Sequence, residues 1–271
     1  MNRINIANVT FDNVTMDEAV TRIVKMAQKT DTPRHVCTGN LDHLVTLSRD
    51  AEFRAIYAEA ALTLADGAPV VWLSRLGPAS LGAPLRERVT GSDLFWELGR
   101  ASAATGVRLF FLGGAPCAAD LAAEAVRRRH PGAQICGTYC PPKEQFDTES
   151  EQANILEAIR AAQPDILLVG FGAPKQEKWI AANKYRLGVP VAIGVGGSFE
   201  MAGGVVRRAP EWMQTVGLEW SYRLCQEPKR LAHRYLVRDL PFLVGLMAQT
   251  AALHLRERRA RRPLTDPRKA S

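Results

Sequence analysis

Between residues 35 and 195 short aliphatic runs alternate with longer stretches of helical spacing, and this alternation restricts the fold more than any other feature of the chain. The runs predicted as strands are His35–Thr38, Leu62–Ala65, Arg108–Leu112, Gln134–Thr138, Ile166–Val169 and Val191–Val195. Between them lie predicted helices at Asp50–Ala60, Ser92–Thr105, Ala118–Arg129, Glu151–Ala162 and Lys175–Tyr185. Strand and helix in strict succession build an α/β fold with a mainly parallel sheet covered by helices on both faces. Ahead of it, residues 4–15 (INIANVTFDNVT) read as a short strand or hairpin, and Met16–Lys29 carries apolar residues at helical spacing.

Past Arg207 the strand pattern stops, and a helical, basic, tryptophan-bearing region follows. The predicted organisation is therefore a catalytic-type α/β domain over 1–205, a helical appendage over 206–255 and a basic tail over 256–271. The apolar run Leu240–Leu253 falls short of the roughly 20 residues needed to span a bilayer, so it reads as a membrane-surface or docking helix, or as one that packs on the main domain. From Arg256 onward seven basic residues face only Glu257 and Asp266, a bias that suits an anionic partner. The first fifteen residues lack a basic segment followed by an apolar one, which predicts a cytoplasmic protein. Five scattered cysteines without a CxxC pair favour reduced thiols over disulfides or a zinc site.

In an open parallel sheet ligands bind beyond the carboxyl ends of the strands. The strand exits here read CTGN (37–40), ADG (65–67), LGGAP (112–116), GFGAPKQEKW (170–179) and GVGGSFEMAGG (194–204). Glycines at such exits let backbone N–H groups approach a phosphate, and Gly196 and Gly197 are the best placed for it; tight turns are the plain alternative. No GxGxxG or GxxxxGK[ST] signature occurs, which disfavours nicotinamide cofactors and P-loop chemistry. Asp66 follows an apolar strand and precedes Gly67, so its carboxylate is either a partly desolvated base or the cap of the next helix. Thr38 and Asn40 could bond sugar hydroxyls or cap a helix starting near Leu41. Gln176 and Lys175 lie in the first turn after Pro174, at the crevice mouth or in solvent. Arg88 could offer a planar fork to a diphosphate. His35 and His43 read as structural, and neither a DxD triplet nor any other metal-ligand spacing is present.

Six ordered blocks, CTGNLDHL, LADGAPVVW, ERVTGSDLF, GFGAPKQEKWI, VGVGGSFEMAGG and RRAPEWMQTVGLEWSYRLCQEPKRLAHRYL, resemble the WecG/TagA/CpsF family, glycosyltransferase family 26. The resemblance implies a Rossmann-like domain that moves a sugar from UDP, with inversion, onto a polyprenyl-diphosphate-linked acceptor, using neither a metal nor another cofactor. It implies Asp66 as base and Thr38, Asn40, Arg88 and Gln176 as substrate contacts. Appendage arginines complete such sites at the membrane; Arg223, Arg230, Arg234 and Arg238 lie in the matching stretch. The loop Arg75–Pro84 is longer than the family's usual link between the DG and ERVTG blocks, a departure that bears on Arg88.

The expected activity is thus hexosyl transfer from a UDP-glucose or UDP-N-acetylmannosamine type of donor, in cell-surface or exopolysaccharide assembly, with glucose preferred. The expected location is the inner face of the cell membrane, bound peripherally to its anionic surface. The alternatives are a basic adaptor that holds anionic membrane or nucleic acid through its tail, and a dinucleotide-dependent oxidoreductase. Nucleic acid is not an expected partner, because the tail lacks interleaved aromatic residues.

Overall fold

The computed structural model describes residues 2–29 and 32–260. The chain opens with a hairpin, β1 (Arg3–Ile6) and β2 (Val9–Asp12). Its two-residue turn places Ala7 at φ 53° and Asn8 at φ 63°, as a type I′ turn requires. Helix α1 (Met16–Ala27) starts from a capping box between Thr15 and Glu18. There follow β3 (Arg34–Gly39), α2 (Leu41–Leu47), α3 (Ala51–Ala58), β4 (Leu62–Ala65), α4 (Ala68–Leu76), α5 (Gly91–Thr105), β5 (Arg108–Gly113), α6 (Ala118–Arg129), β6 (Gln134–Tyr139), α7 (Glu149–Ala162), β7 (Ile166–Gly170), α8 (Lys175–Leu187) and β8 (Val191–Gly194). All six predicted strands are present, each within a residue of its expected ends.

The six pair in parallel in the order β4-β3-β8-β7-β5-β6. The chain steps outward from β3 to β4, then crosses over to build the other half, so the winding reverses between β3 and β8. That is where the carboxyl ends of an open sheet splay into a ligand crevice. Both faces are buried, as alternate residues along β5 show. Leu109 and Phe111 join the cluster under α1, α5 and α6, whereas Phe110 and Leu112 pack under α7 and α8. A third cluster joins the hairpin to α2, α3 and α4 through Phe11, Cys37, Phe53 and Val70.

Strand β4 is a sheet edge, and the hairpin protects it. Buried Asp12 accepts from the Thr63 N–H through Oδ2 at 2.9 Å and from Arg3 Nε through Oδ1 at 2.9 Å. The long loop before α5 is anchored on the same hairpin. Asn13 Nδ2 donates to the carbonyls of Ala83 and Pro84, and Asn13 Oδ1 accepts from the Arg86 N–H.

Beyond β8 come α9 (Ser198–Ala202), α10 (Glu211–Thr215), α11 (Glu219–Gln226), α12 (Pro228–Ala232), a π-helical stretch His233–Asp239 and α13 (Leu240–Ala260). The apolar helix is longer than the sequence suggests. The segment His233–Glu257 has 25 residues, long and apolar enough to cross a membrane by length and composition alone, which corrects the estimate from the Leu240–Leu253 run. Pro241 does not end it: the turn before it is π-helical, the Leu240 N–H donating to the Tyr235 carbonyl, and the irregular turn takes up the proline inside the segment. One side packs Phe242, Leu243, Leu246 and Met247 against the hairpin cluster. The other leaves Leu236, Val237, Leu240 and Val244 exposed. Arg234 and Arg238 bind the carboxylate of Asp42 on α2, and Arg238 Nε lies 3.1 Å from Asp239 Oδ1. Residues 261–271, most of the basic tail, lie outside the described residues.

Replacing Asp12 with alanine leaves the buried Thr63 N–H without an acceptor and frees the edge of β4. Urea unfolding should show a loss of roughly 1–3 kcal/mol for this variant.

Candidate active site

Strand β4 ends at Ala65, and the backbone N–H of Asp66 donates to the Gly39 carbonyl at 2.9 Å, which aligns the β3 and β4 exits. Gly67, at φ 101°, turns the chain into α4 and is itself the N-cap of that helix, without a side-chain cap bond. Asp66 is therefore not the cap of the helix that follows it. Its Oδ2 accepts instead from the N–H of Gly91, the first residue of α5, at 3.2 Å. The Val89 N–H donates to the Ala65 carbonyl at 2.9 Å, which draws the ERVTG segment alongside β4 and brings α5 to the carboxylate.

The half-buried Asp66 carboxyl has its pKa raised to about 6. Loss of hydration is the main cause, and the negative charges of Glu219 and Asp93 add to it. The Gly91 N–H and the Arg88 guanidinium oppose the rise. Such a carboxylate is ionised near neutrality yet basic enough to accept a proton. The long loop of residues 75–84 has not carried Arg88 away, because Asn13 and the hairpin take up the extra length while Arg88 remains within electrostatic reach of Asp66.

The two polar residues of the CTGN exit divide their work. Thr38 is buried, and its hydroxyl donates to the Gly194 carbonyl at 3.0 Å, tying β3 to β8 across the switch point. The hydroxyl proton is thus used on the backbone, and the oxygen's acceptor capacity is what it has left for a sugar hydroxyl. Asn40 is the N-cap of α2, its Oδ1 accepting from the His43 N–H at 3.1 Å, a bond that does not use its amide N–H groups. Beneath it His43 bonds the Tyr57 hydroxyl, and burial lowers the imidazole pKa to about 3. His35 bonds the Ile56 carbonyl at 2.8 Å, so both histidines are built into the core.

Gln176 is 2% exposed and points into the protein, which overturns a solvated first turn. Its Oε1 accepts from the N–H of Gly172 at 3.1 Å and of Gly196 at 3.0 Å, clamping the β7 and β8 exits together. Lys175 turns away, with its ammonium 3.4 Å from the Phe146 ring centre. The glycine loop after β8 is thereby less free than expected as an anion cradle. The N–H groups of Val195, Gly196 and Ser198 bond Val169, Gln176 and Val195, which leaves the Gly197 N–H as the one of these four with no bond among the described residues. Arg223 compensates, its Nη2 lying 3.9 Å from where a Cβ on Gly197 would stand. The Arg230 side chain lies outside the described residues.

Three acidic residues of the crevice go unnoticed in the strand-exit reading. Glu200 joins two loops by accepting from the Ala115 N–H at 2.8 Å through Oε1, and its other oxygen is buried near Gly197. Glu177 is buried beside Gln176. Glu219, on the appendage, acts on Asp66 through space and approaches Arg208, which is paired with Asp93 of α5 at 2.6 Å. Glu200 and Glu177 sit inside the quoted blocks, but only the fold turns them inward. Among the described residues no group of three or more His, Cys, Asp and Glu side chains gathers as a metal site would. Among the described residues, Arg88 lies within electrostatic reach of Asp66 and Arg223 stands beside Gly197.

Because the folded pKa of Asp66 is raised, its protonated form favours the fold at low pH, and that contribution fades as pH rises through about 6. Asp66→Asn should therefore be more stable than the native chain at pH 8, by roughly 1–2 kcal/mol after discounting for partial exposure. The difference should vanish near pH 4 in thermal melts.

A family model described as "Glycosyl transferase WecG/TagA/CpsF family" matches residues 4–256 of the chain. A Bacillus spizizenii protein named N-acetylglucosaminyldiphosphoundecaprenol N-acetyl-beta-D-mannosaminyltransferase is 32% identical over 195 residues, covering 72% of each chain. A Staphylococcus aureus protein of the same name is 28% identical over 248 residues, covering 91% of this chain and 92% of that one. The matched span takes in every strand exit of the crevice and the appendage, and the chain belongs to the WecG/TagA/CpsF family of glycosyltransferases.

Proposed function

We propose that this glycosyltransferase moves a hexose from a UDP-sugar, with inversion, onto a polyprenyl-diphosphate-linked sugar. The observation that carries the reading is Asp66, a half-buried carboxylate at a strand exit whose pKa rests at about 6. Asp66 takes the proton of the acceptor hydroxyl as its oxygen attacks the anomeric carbon opposite UDP. The bond from that carbon to the diphosphate oxygen breaks in the same displacement, which inverts the centre. Charge released onto UDP meets Arg88, Arg223 and the unbonded Gly197 N–H. Gln176 serves by fixing the loops, and the Asn40 amide N–H groups, which its cap bond does not use, donate to a sugar hydroxyl in this reading.

The relatives' names put N-acetylmannosamine ahead of glucose as the first donor to test, and N-acetylglucosaminyl-diphosphoprenol as the first acceptor. Residues 1–205 form the catalytic unit in this reading, and residues 206–255 the appendage that meets the bilayer. Exposed Trp212, Trp220, Leu236, Val237 and Val244 supply apolar contact with the inner membrane surface, and the basic residues from Arg256 add attraction to anionic headgroups. An α-helix lying on the surface needs only one apolar side, and the packed side of α13 is already occupied by the hairpin cluster.

UDP should raise the melting temperature, and NAD should not. Asp66→Asn should lose transfer by about 100-fold or more while the shift caused by UDP persists. The native rate should fall on the acid side with an apparent pKa near 6. Near-normal turnover by Asp66→Asn would remove Asp66 from the mechanism.

A further inference from the structure

Gln176 and Glu177 are consecutive residues in the first turn of α8, and both are 2% exposed. Their side chains form a unit. Gln176 has one amide oxygen, and it is committed to two donors, the N–H groups of Gly172 and Gly196. Rotating the amide by half a turn would set an NH2 group against both N–H groups, donor facing donor. The rotation is opposed by a further bond, since Gln176 Nε2 donates to Glu177 Oε1 at 2.8 Å.

The unit rests directly on the backbone of β8. A Cβ on Gly194 would stand 2.5 Å from Gln176 Nε2 and 2.8 Å from Glu177 Oε1, so no larger residue fits there without displacing the pair. Glu177 Oε2 is buried without a hydrogen-bond partner, and burial pushes this carboxyl up to about 7. The titratable neighbours that feel its charge, Cys37 from β3 and Tyr57 from α3, are both held neutral by burial, so neither draws an anion to this place. For stability alone an apolar side chain of similar volume would serve better than a carboxyl with one idle oxygen. Its acceptor atom is the feature that an apolar residue could not supply.

We propose that Glu177 is a positioning residue for sugar transfer, which acts through Gln176 to hold the 170–174 and 194–198 loops at the spacing the crevice requires. The assignment rests on the transferase reading above, and it concerns a residue that touches no substrate.

A double-mutant cycle tests it, with kcat/KM for transfer and melting temperature measured for the native chain, Gln176→Ala, Glu177→Met and the double variant. Each single change should lower kcat/KM by about tenfold or more, and the double should match Gln176→Ala to within about twofold, because Glu177 has no route to the site once Gln176 is gone. Losses that multiply would overturn the proposal. Glu177→Gln keeps an acceptor oxygen and should stay within about threefold of the native kcat/KM; a tenfold loss there would also overturn it. That variant decides the matter if Glu177→Met does not fold. Amide hydrogen exchange supplies a readout that needs no turnover. Exchange at Gly172 and Gly196 should be slow in the native chain and in Glu177→Gln, and faster in Glu177→Met or Gln176→Ala; equal rates in all four would contradict the proposal. A native chain that transfers no sugar while showing this exchange pattern would fail the transferase reading and leave the Glu177 contact intact.

Discussion

Two backbone N–H groups and a carboxylate set the chemistry of this crevice. The Asp66 amide is fixed on Gly39, and its Oδ2 receives the first N–H of α5 at 3.2 Å. A helix N-terminus stabilises an anion, whereas removal of water and the nearby charges of Glu219 and Asp93 destabilise it. With one hydrogen bond against extensive desolvation, burial wins, and the carboxyl settles at about 6 rather than in the ordinary aspartate range. A second N–H on the same oxygen would weaken the base; full exposure would do the same.

The remainder of the site fixes the strand exits around that carboxylate. Thr38 closes the gap between β3 and β8 through Gly194, and Gln176 closes the gap between the β7 and β8 exits through Gly172 and Gly196. Both contacts spend side-chain groups on backbone, which explains why the glycine loop offers fewer free N–H groups than its composition suggests. In the proposed mechanism the cations are Arg88, which follows the hairpin-anchored loop and acts on Asp66, and Arg223, which the appendage brings beside Gly197. The contacts of Arg208 with Asp93 and of Arg234 and Arg238 with Asp42 tie that appendage to α5 and α2, the helices that flank the exits.

Much of this was legible in the residues because a parallel sheet imposes a regular rhythm. Runs buried on both faces, such as Leu109–Leu112 and Ile166–Val169, mark strands by composition, and the strand exits locate the crevice without coordinates. Local capping was readable too, since Asn40 bonds the N–H three residues ahead. What escaped were contacts between residues far apart in the chain. The partner of Thr38 lies 156 residues away and that of Asp66 25 residues away, and no spacing rule links either pair. The appendage was misjudged for another reason: counting only the apolar run hid a helix that Pro241 and the polar residues at its ends do not interrupt.

The central claim is that the fold, by stripping water from Asp66 against the opposing pull of α5, turns an ordinary aspartate into a base suited to neutral pH. Carbon-13 NMR titration of the side-chain carboxyl, assigned by comparison with Asp66→Asn, measures this directly. A midpoint near 6 is the result this account predicts. A midpoint near 4, the value of a hydrated aspartate, would contradict it.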